Sequence, residues 1–77
     1  MKLYFRRNNG EFIFIQDVDG LTVGEIISLF LNYVHTINPK YKSYYQRYWK
    51  DENGWTWIDV GSYTEFGVVK KGDINEE

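Results

Sequence analysis

The chain contains no cysteine, one proline and one histidine in 77 residues. Without cysteine, neither a disulfide nor a thiolate–metal site can hold together a domain whose length is near the limit for a single core. His35 alone also supplies too few ligands for a zinc site. Stability must therefore come from apolar burial, with oligomerisation as a supplement.

Long apolar runs and an excess of positive charge are also missing. No run approaches the roughly 18 residues that span a bilayer, and the apolar run at the N-terminus is too short for a signal peptide. The net charge of −2 argues against a generally basic nucleic-acid binder but allows a local basic patch. We expect a single cytoplasmic domain over residues 1–77, without membrane contact, that ends in a frayed polar tail at residues 71–77.

Recognisable catalytic and cofactor motifs are absent too. The segment Asp17-Val18-Asp19-Gly20 lacks the third acid, the glycine spacing and the distal glutamate of an EF-hand. No serine has a predicted histidine partner, and His35 is better explained as a plain polar helix position than as a base. The sequence contains no phosphate loop and no dinucleotide fingerprint. It therefore predicts a protein that is not an enzyme and needs no cofactor or metal.

Aromatic residues are abundant: they make up 19% of the chain, and all three tryptophans lie close to an Asn53-Gly54 pair. Asn-Gly between two strand-like runs is the strongest short-range hairpin signal. A three-residue loop would pair Trp49 with Trp57 and Arg47 with Asp59, whereas a two-residue loop would shift the register and separate both pairs. We favour the first register because its cross-strand pairs are chemically matched.

A second hairpin is predicted near the N-terminus, where Asn9-Gly10 separates two further strand-like runs. A three-residue loop at 8–10 would form the pairs Arg7–Glu11, Phe5–Ile13 and Leu3–Ile15. One face of this hairpin would then hold Leu3, Phe5, Ile13 and Ile15, and the other face Tyr4, Arg6, Phe12 and Phe14.

Between the hairpins, Thr22 and Glu25 have the spacing of a capping box and predict the start of a helix. The helix should end near Ile37, because Pro39 disfavours helical geometry in the residue before it. Its apolar stripe contains Val23, Ile26, Ile27, Phe30, Val34 and Ile37. The opposite side is small and uncharged, and it is either a second interface or simply an exposed neutral surface. That side includes Gly24, Ser28, Asn32, His35 and Thr36.

The order of elements predicts an α+β domain of the ββαββ(β) type. An antiparallel sheet of four or five strands would carry one helix on one face, with Phe66–Lys70 as a short last strand at an edge. The side bearing Leu3, Phe5, Ile13, Ile15, Ile58 and Val60 would face the helix. The other side would bear Tyr4, Phe12, Phe14, Tyr45, Trp49, Trp55 and Trp57. With no second helix to cover it, we expect an exposed aromatic face, which usually marks a binding or assembly site.

Two functional hypotheses follow from this face. In the first, the protein is a binding module that docks a partner protein or a second copy of itself as a homodimer. Trp, Tyr and Arg dominate interface hot spots, and the predicted contact residues are Tyr45, Arg47, Trp49, Trp55, Trp57 and Asp59. In the second, it binds a nucleotide or single-stranded nucleic acid, because cations alternate with aromatics before the hairpin. The residues predicted for that role are Lys40, Lys42, Tyr44 and Arg47.

The whole chain is short, free of cysteine, rich in aromatics and acidic. In this it resembles small accessory proteins of bacteriophages and mobile elements. The resemblance implies an inhibitor or a sequestering protein, which acts by occupying a host or defence component.

Overall fold

A computed structural model describes residues 1–8, 10–62 and 64–70, and these residues form one helix and one five-stranded antiparallel sheet. The elements are β1 (Lys2–Arg7), β2 (Ile13–Asp17), α1 (Val23–Ile37), β3 (Arg47–Lys50), β4 (Thr56–Asp59) and β5 (Glu65–Lys70). The strand order across the sheet is β2-β1-β5-β4-β3. The predicted α+β two-layer domain is confirmed, while the predicted tail at residues 71–77 lies outside the described residues.

The last strand, β5, lies at the centre of the sheet, so the expectation of an edge strand was wrong. It pairs with β1 on one side and with β4 on the other. The physical reason is visible in its sequence, since Val68 and Val69 point to opposite faces and are both buried. A strand that is apolar on both faces belongs in the interior of a sheet.

The second hairpin has the predicted register. Trp49 is opposite Trp57, and Arg47 is opposite Asp59. The turn is tightened by a hydrogen bond from the Gly54 amide to the Asp51 carbonyl (3.1 Å), and Gly54 has a φ of 81°. Glycine is suited to this position because it adopts positive φ without a Cβ penalty.

The first hairpin follows the predicted register only in part. Phe5 is opposite Ile13 as expected, but a bulge shifts Leu3 opposite Gln16 instead of Ile15. Arg7 is opposite Glu65 of β5 instead of Glu11, and its Nη2 atom lies 2.8 Å from the Glu65 carboxylate. The three-residue loop was therefore wrong, because the ladder ends at Phe5 and β2 does not begin until Ile13.

Helix α1 begins and ends where the sequence predicted. Both hydrogen bonds of the capping box between Thr22 and Glu25 are present. The helix packs on the sheet through Phe30, whose ring lies directly over Gly67 of β5. The main core lies between the two layers and contains Leu3, Phe5, Val18, Ile26, Phe30, Val34, Ile58, Val60 and Val69. Within the described part of the chain, no helix is long and apolar enough to cross a membrane.

Candidate functional site: the aromatic face of the sheet

The side of the sheet that faces away from α1, here called the far face, carries the aromatic residues that the sequence placed there. Strand alternation and the ladder registers set its members. They include Lys2, Tyr4 and Arg6 on β1, Phe14 on β2, Phe66, Val68 and Lys70 on β5, Trp57 and Asp59 on β4, and Arg47 and Trp49 on β3, with Trp55 just before β4.

Phe12 covers the centre of this face. The sequence analysis assigned Phe12 to the face but predicted that the face would be exposed, and did not predict that Phe12 would cover other side chains. Its ring centroid lies 6.1 Å from that of Tyr4 and 6.4 Å from that of Trp57. Trp57 belongs to β4, roughly 14 Å across the sheet from β2, so the segment before β2 must bring Phe12 over the two intervening strands. Beneath it, Val68 is 0% exposed although it lies outside the main core. Tyr4 and Trp57 flank Val68 on the neighbouring strands.

Two cations lie among these rings. The Lys70 ammonium is 3.6 Å from the Phe12 centroid and 5.2 Å from the Trp55 centroid. The Arg6 guanidinium is 4.7 Å from the Phe12 centroid and 6.0 Å from the Trp57 centroid. Cations over ring faces are attracted by the ring quadrupole, by about 0.5–1 kcal/mol at exposed sites. The centre of the far face is therefore a layer of rings and cations that forms a second, smaller core.

Towards β3 the far face opens into a cleft of about 280 Å³, lined by Arg6, Asn8, Trp49, Trp57 and Phe66. The Phe66 ring stands edge-to-face against both tryptophans, at interplanar angles of 83° to Trp49 and 81° to Trp57. The three rings form the walls. Among the described residues that line it, only Arg6 is charged.

Hydrogen bonds hold the tryptophan of β4 in place. The Trp57 indole Nε1–H donates to the Asp51 carboxylate at 2.8 Å, and Asp51 also accepts from the backbone N–H groups of Asn53 and Trp55. The indole hydrogen bond is the main reason why the pKa of Asp51 lies below its ordinary value, with the backbone donors adding to it.

Asp59 organises the other end of the hairpin. Its carboxylate is buried and accepts from the Gly61 amide (2.8 Å), Arg47 Nε (3.0 Å) and the Tyr45 hydroxyl (3.3 Å). Arg47 is thereby fixed with its guanidinium 5.1 Å from the Trp49 ring centroid. Asp59 consequently supports the site from beneath and does not present itself to a partner.

Several exposed rings cluster along the edge of the sheet formed by β3. Tyr44 is 83% exposed, Tyr48 is 49% exposed and Trp49 is 38% exposed. Tyr48 lies on the helix side of β3 and Trp49 on the far face, so the edge is aromatic on both sides. We call this the β3-edge surface; it comprises Tyr44, Tyr45, Arg47, Tyr48 and Trp49.

The structure gathers only some of the predicted residues. Tyr45, Arg47 and Trp49 belong to the β3-edge surface, whereas the half-buried Trp55 and Trp57 lie further in. Lys40 and Lys42 are exposed beyond the end of α1, and no hydrogen bond, ion pair or ring contact in the described parts of the chain joins them to the cleft. His35, expected on the neutral side of α1, is half-buried, with its Nε2 atom 2.9 Å from the Tyr41 carbonyl oxygen.

The cleft contains residues that the sequence analysis missed. Strand alternation placed Arg6 on the correct face, but nothing pointed to Asn8 or Phe66 as its neighbours. Phe66 could have been found from the apolar pattern of β5 on both faces, which indicates a central strand beside the tryptophan strand. Asn8 lies in a loop whose path depends on tertiary contacts, and no local signal reports it.

The described residues contain no group of three or more His, Cys, Asp or Glu side chains arranged to hold a metal ion. Comparison of the chain with family models, curated proteins and solved structures finds no match.

Proposed function

We propose that this protein is a non-enzymatic binding module that docks another protein chain through the β3-edge surface. The observation that carries the proposal is the clustering of exposed rings there, since Tyr44, Tyr48 and Trp49 all lie on or beside one edge strand. Exposed apolar residues on a monomer are usually scattered, and a cluster of them marks an interaction site.

The composition of the surface supports docking in energetic terms. Tyr, Trp and Arg are the residue types that contribute most of the binding energy in protein interfaces. The hydrogen bond to Asp59 restrains Arg47, whose guanidinium lies over the indole of Trp49. Less side-chain entropy is then lost on binding, which favours affinity. A module of this kind acts by occupation, consistent with an inhibitory or sequestering role.

Site-specific photo-crosslinking tests this proposal. In one variant p-benzoylphenylalanine replaces Tyr48, and in a second it replaces Phe14. Both variants are expressed in cells of the organism from which the gene was taken. Phe14 is a matched control because it is 52% exposed, close to the 49% of Tyr48, but lies on the opposite edge strand. We expect a discrete crosslinked protein from position 48 and none from position 14.

Mass spectrometry of the adduct would identify the bound chain, and a product of twice the mass would identify a second copy. The proposal is wrong if position 48 gives no adduct, or if both positions give the same products. Tyr48 does not line the cleft, so this result is independent of any small ligand that binds there.

A further inference from the structure

We propose that the cleft between β1, β5, β4 and β3 is a nucleotide site, which holds one base between aromatic walls and pairs its phosphate with Arg6. This goes beyond docking at the β3-edge surface and does not depend on it. The cleft volume of about 280 Å³ is just below the 300–1,000 Å³ of sites for drug-sized ligands. It suits one planar ring with its substituent directed towards solvent.

The walls offer stacking surfaces that are fixed before a ligand arrives. Trp57 is held by its hydrogen bond to Asp51, and Trp49 lies against the fixed guanidinium of Arg47. Phe66 stands edge-to-face against both. Bases stack on such rings irrespective of their sequence, and pre-ordered rings reduce the entropic cost of stacking.

Arg6 supplies a positive charge without a carboxylate partner in the described chain. Arg7 pairs with Glu65 and Arg47 with Asp59, but Arg6 makes no ion pair with any described residue. Its Nε donates to the Gly10 carbonyl at 3.0 Å, which orients the guanidinium and leaves its terminal nitrogens as donors for a phosphate.

The side-chain amide of Asn8 adds a neutral hydrogen-bond donor and acceptor, which lie in one plane, to the lining of the cleft. Its backbone is fixed by a hydrogen bond from its amide to the Thr64 carbonyl (2.6 Å), and its φ of 53° is one that asparagine tolerates. A carboxamide can form two parallel hydrogen bonds with the edge of a base, as asparagine does with adenine.

This combination favours a nucleotide over an inserted protein side chain. An aromatic side chain would stack on the walls but would form no hydrogen bond with the terminal nitrogens of Arg6 or the Asn8 carboxamide. A phosphotyrosine would pair with Arg6 but offers no ring donor or acceptor to Asn8. The carboxylates of Asp51 and Asp59 also lie on this face, but each already accepts three hydrogen bonds from the protein.

Nuclear magnetic resonance of the three indole N–H groups tests the site. Adenosine, guanosine, cytidine and uridine monophosphates are titrated separately into the whole protein, alongside an oligothymidylate of eight nucleotides. We expect Trp49 and Trp57 to shift with saturation, and Trp55, outside the cleft, to shift less. Saturation by the mononucleotides alone identifies a free nucleotide, and tighter, salt-dependent binding of the oligomer identifies a single strand.

Variants assign the contacts. Arg6→Gln should weaken binding by about tenfold or more, the size of effect expected for one charge-assisted hydrogen bond. Asn8→Gly, which keeps the positive φ accessible, should lower the preference among the four bases and leave the fold intact. Lys42→Gln is the matched control and should bind like the wild type. Core methyl signals of Leu3 and Val69 check that each variant is folded.

Three results would overturn the proposal. The first is the absence of selective shifts at Trp49 and Trp57 at millimolar nucleotide. The second is equal binding of phosphotyrosine or N-acetyltryptophanamide, which would assign the cleft to a protein side chain. The third is wild-type affinity and base preference in both folded cleft variants.

Discussion

At the scale of single residues, the contact between Gly67 and Phe30 decides how closely α1 approaches the sheet. A Cβ atom at Gly67 would lie 2.8 Å from the Phe30 ring, closer than atoms tolerate. Gly67 is at the centre of β5, where glycine has no intrinsic advantage. Glycine is therefore needed at position 67 because any larger residue would collide with the Phe30 ring. The sequence alone does not indicate this requirement, because Phe30 lies 37 residues away on another element.

A pair of glycine substitutions tests this contact. Gly67→Ala should lower the free energy of unfolding by about 1–3 kcal/mol, because the core is overpacked. Gly24→Ala, the matched control, adds a Cβ whose nearest neighbour is Thr22 Oγ1 at 4.0 Å. It should raise the free energy of unfolding by about 0.5–1 kcal/mol through helix propensity. Urea denaturation measures both, and equal effects of the two substitutions would contradict the packing described.

At the scale of elements, the β3–β4 hairpin shows what the sequence can predict. The Asn53-Gly54 signal and the matched pairs Trp49–Trp57 and Arg47–Asp59 are local, so they determined the register correctly. The position of β5 was not predicted, because its two partner strands are chosen by long-range burial that a short run does not encode. The same limit applies to the bulge in β2, which nothing in the sequence of Phe12–Asp17 announces.

The Asp51 carboxylate accepts three hydrogen bonds within the hairpin, which gives a test by pH. Because its folded pKa lies below the ordinary value of 3.8, Asp51 contributes stability above that value and loses it as the pH falls through the folded pKa. Asp51→Asn should therefore be less stable than the wild type near neutral pH. This difference should narrow as the pH falls below about 3.8.

Denaturant unfolding at a series of pH values measures that difference. Glu52→Gln, a change of the exposed neighbouring acid, serves as the control and should track the wild type throughout. A constant gap between Asp51→Asn and the wild type across the acid range would contradict the role assigned to the carboxylate.

At the scale of the whole molecule, helix α1 covers one face of the sheet, and Phe12, which precedes β2, covers the centre of the other face. Helix α1 covers most of the inner face, as the apolar stripe predicted, but Ile13 of β2 and Ile37 of the stripe remain 49% and 45% exposed. The far face was expected to be open, but Phe12 covers its centre together with Arg6 and Lys70. Alternation along strands indicated which residues share this face. The position of Phe12 depends on side chains of β1, β4 and β5, namely Tyr4, Trp57 and Lys70, so no local pattern revealed it.

This arrangement limits recognition to the β3 end of the far face and the adjoining edge. Trp49 forms both the rim of the cleft and part of the β3-edge surface, while Val68 at the centre is sealed. Protein docking at the β3-edge surface and nucleotide binding in the cleft both use the open end that this division leaves.

Solvent paramagnetic relaxation of the free protein with a soluble gadolinium chelate tests that division most directly. We predict strong relaxation enhancement at the Trp49 indole N–H and the Tyr48 ring, and protection of the Val68 methyls to the level of Leu3 in the main core. Enhancement at Val68 equal to that at Trp49 would show that Phe12 does not cover the centre of the face, and would contradict the account.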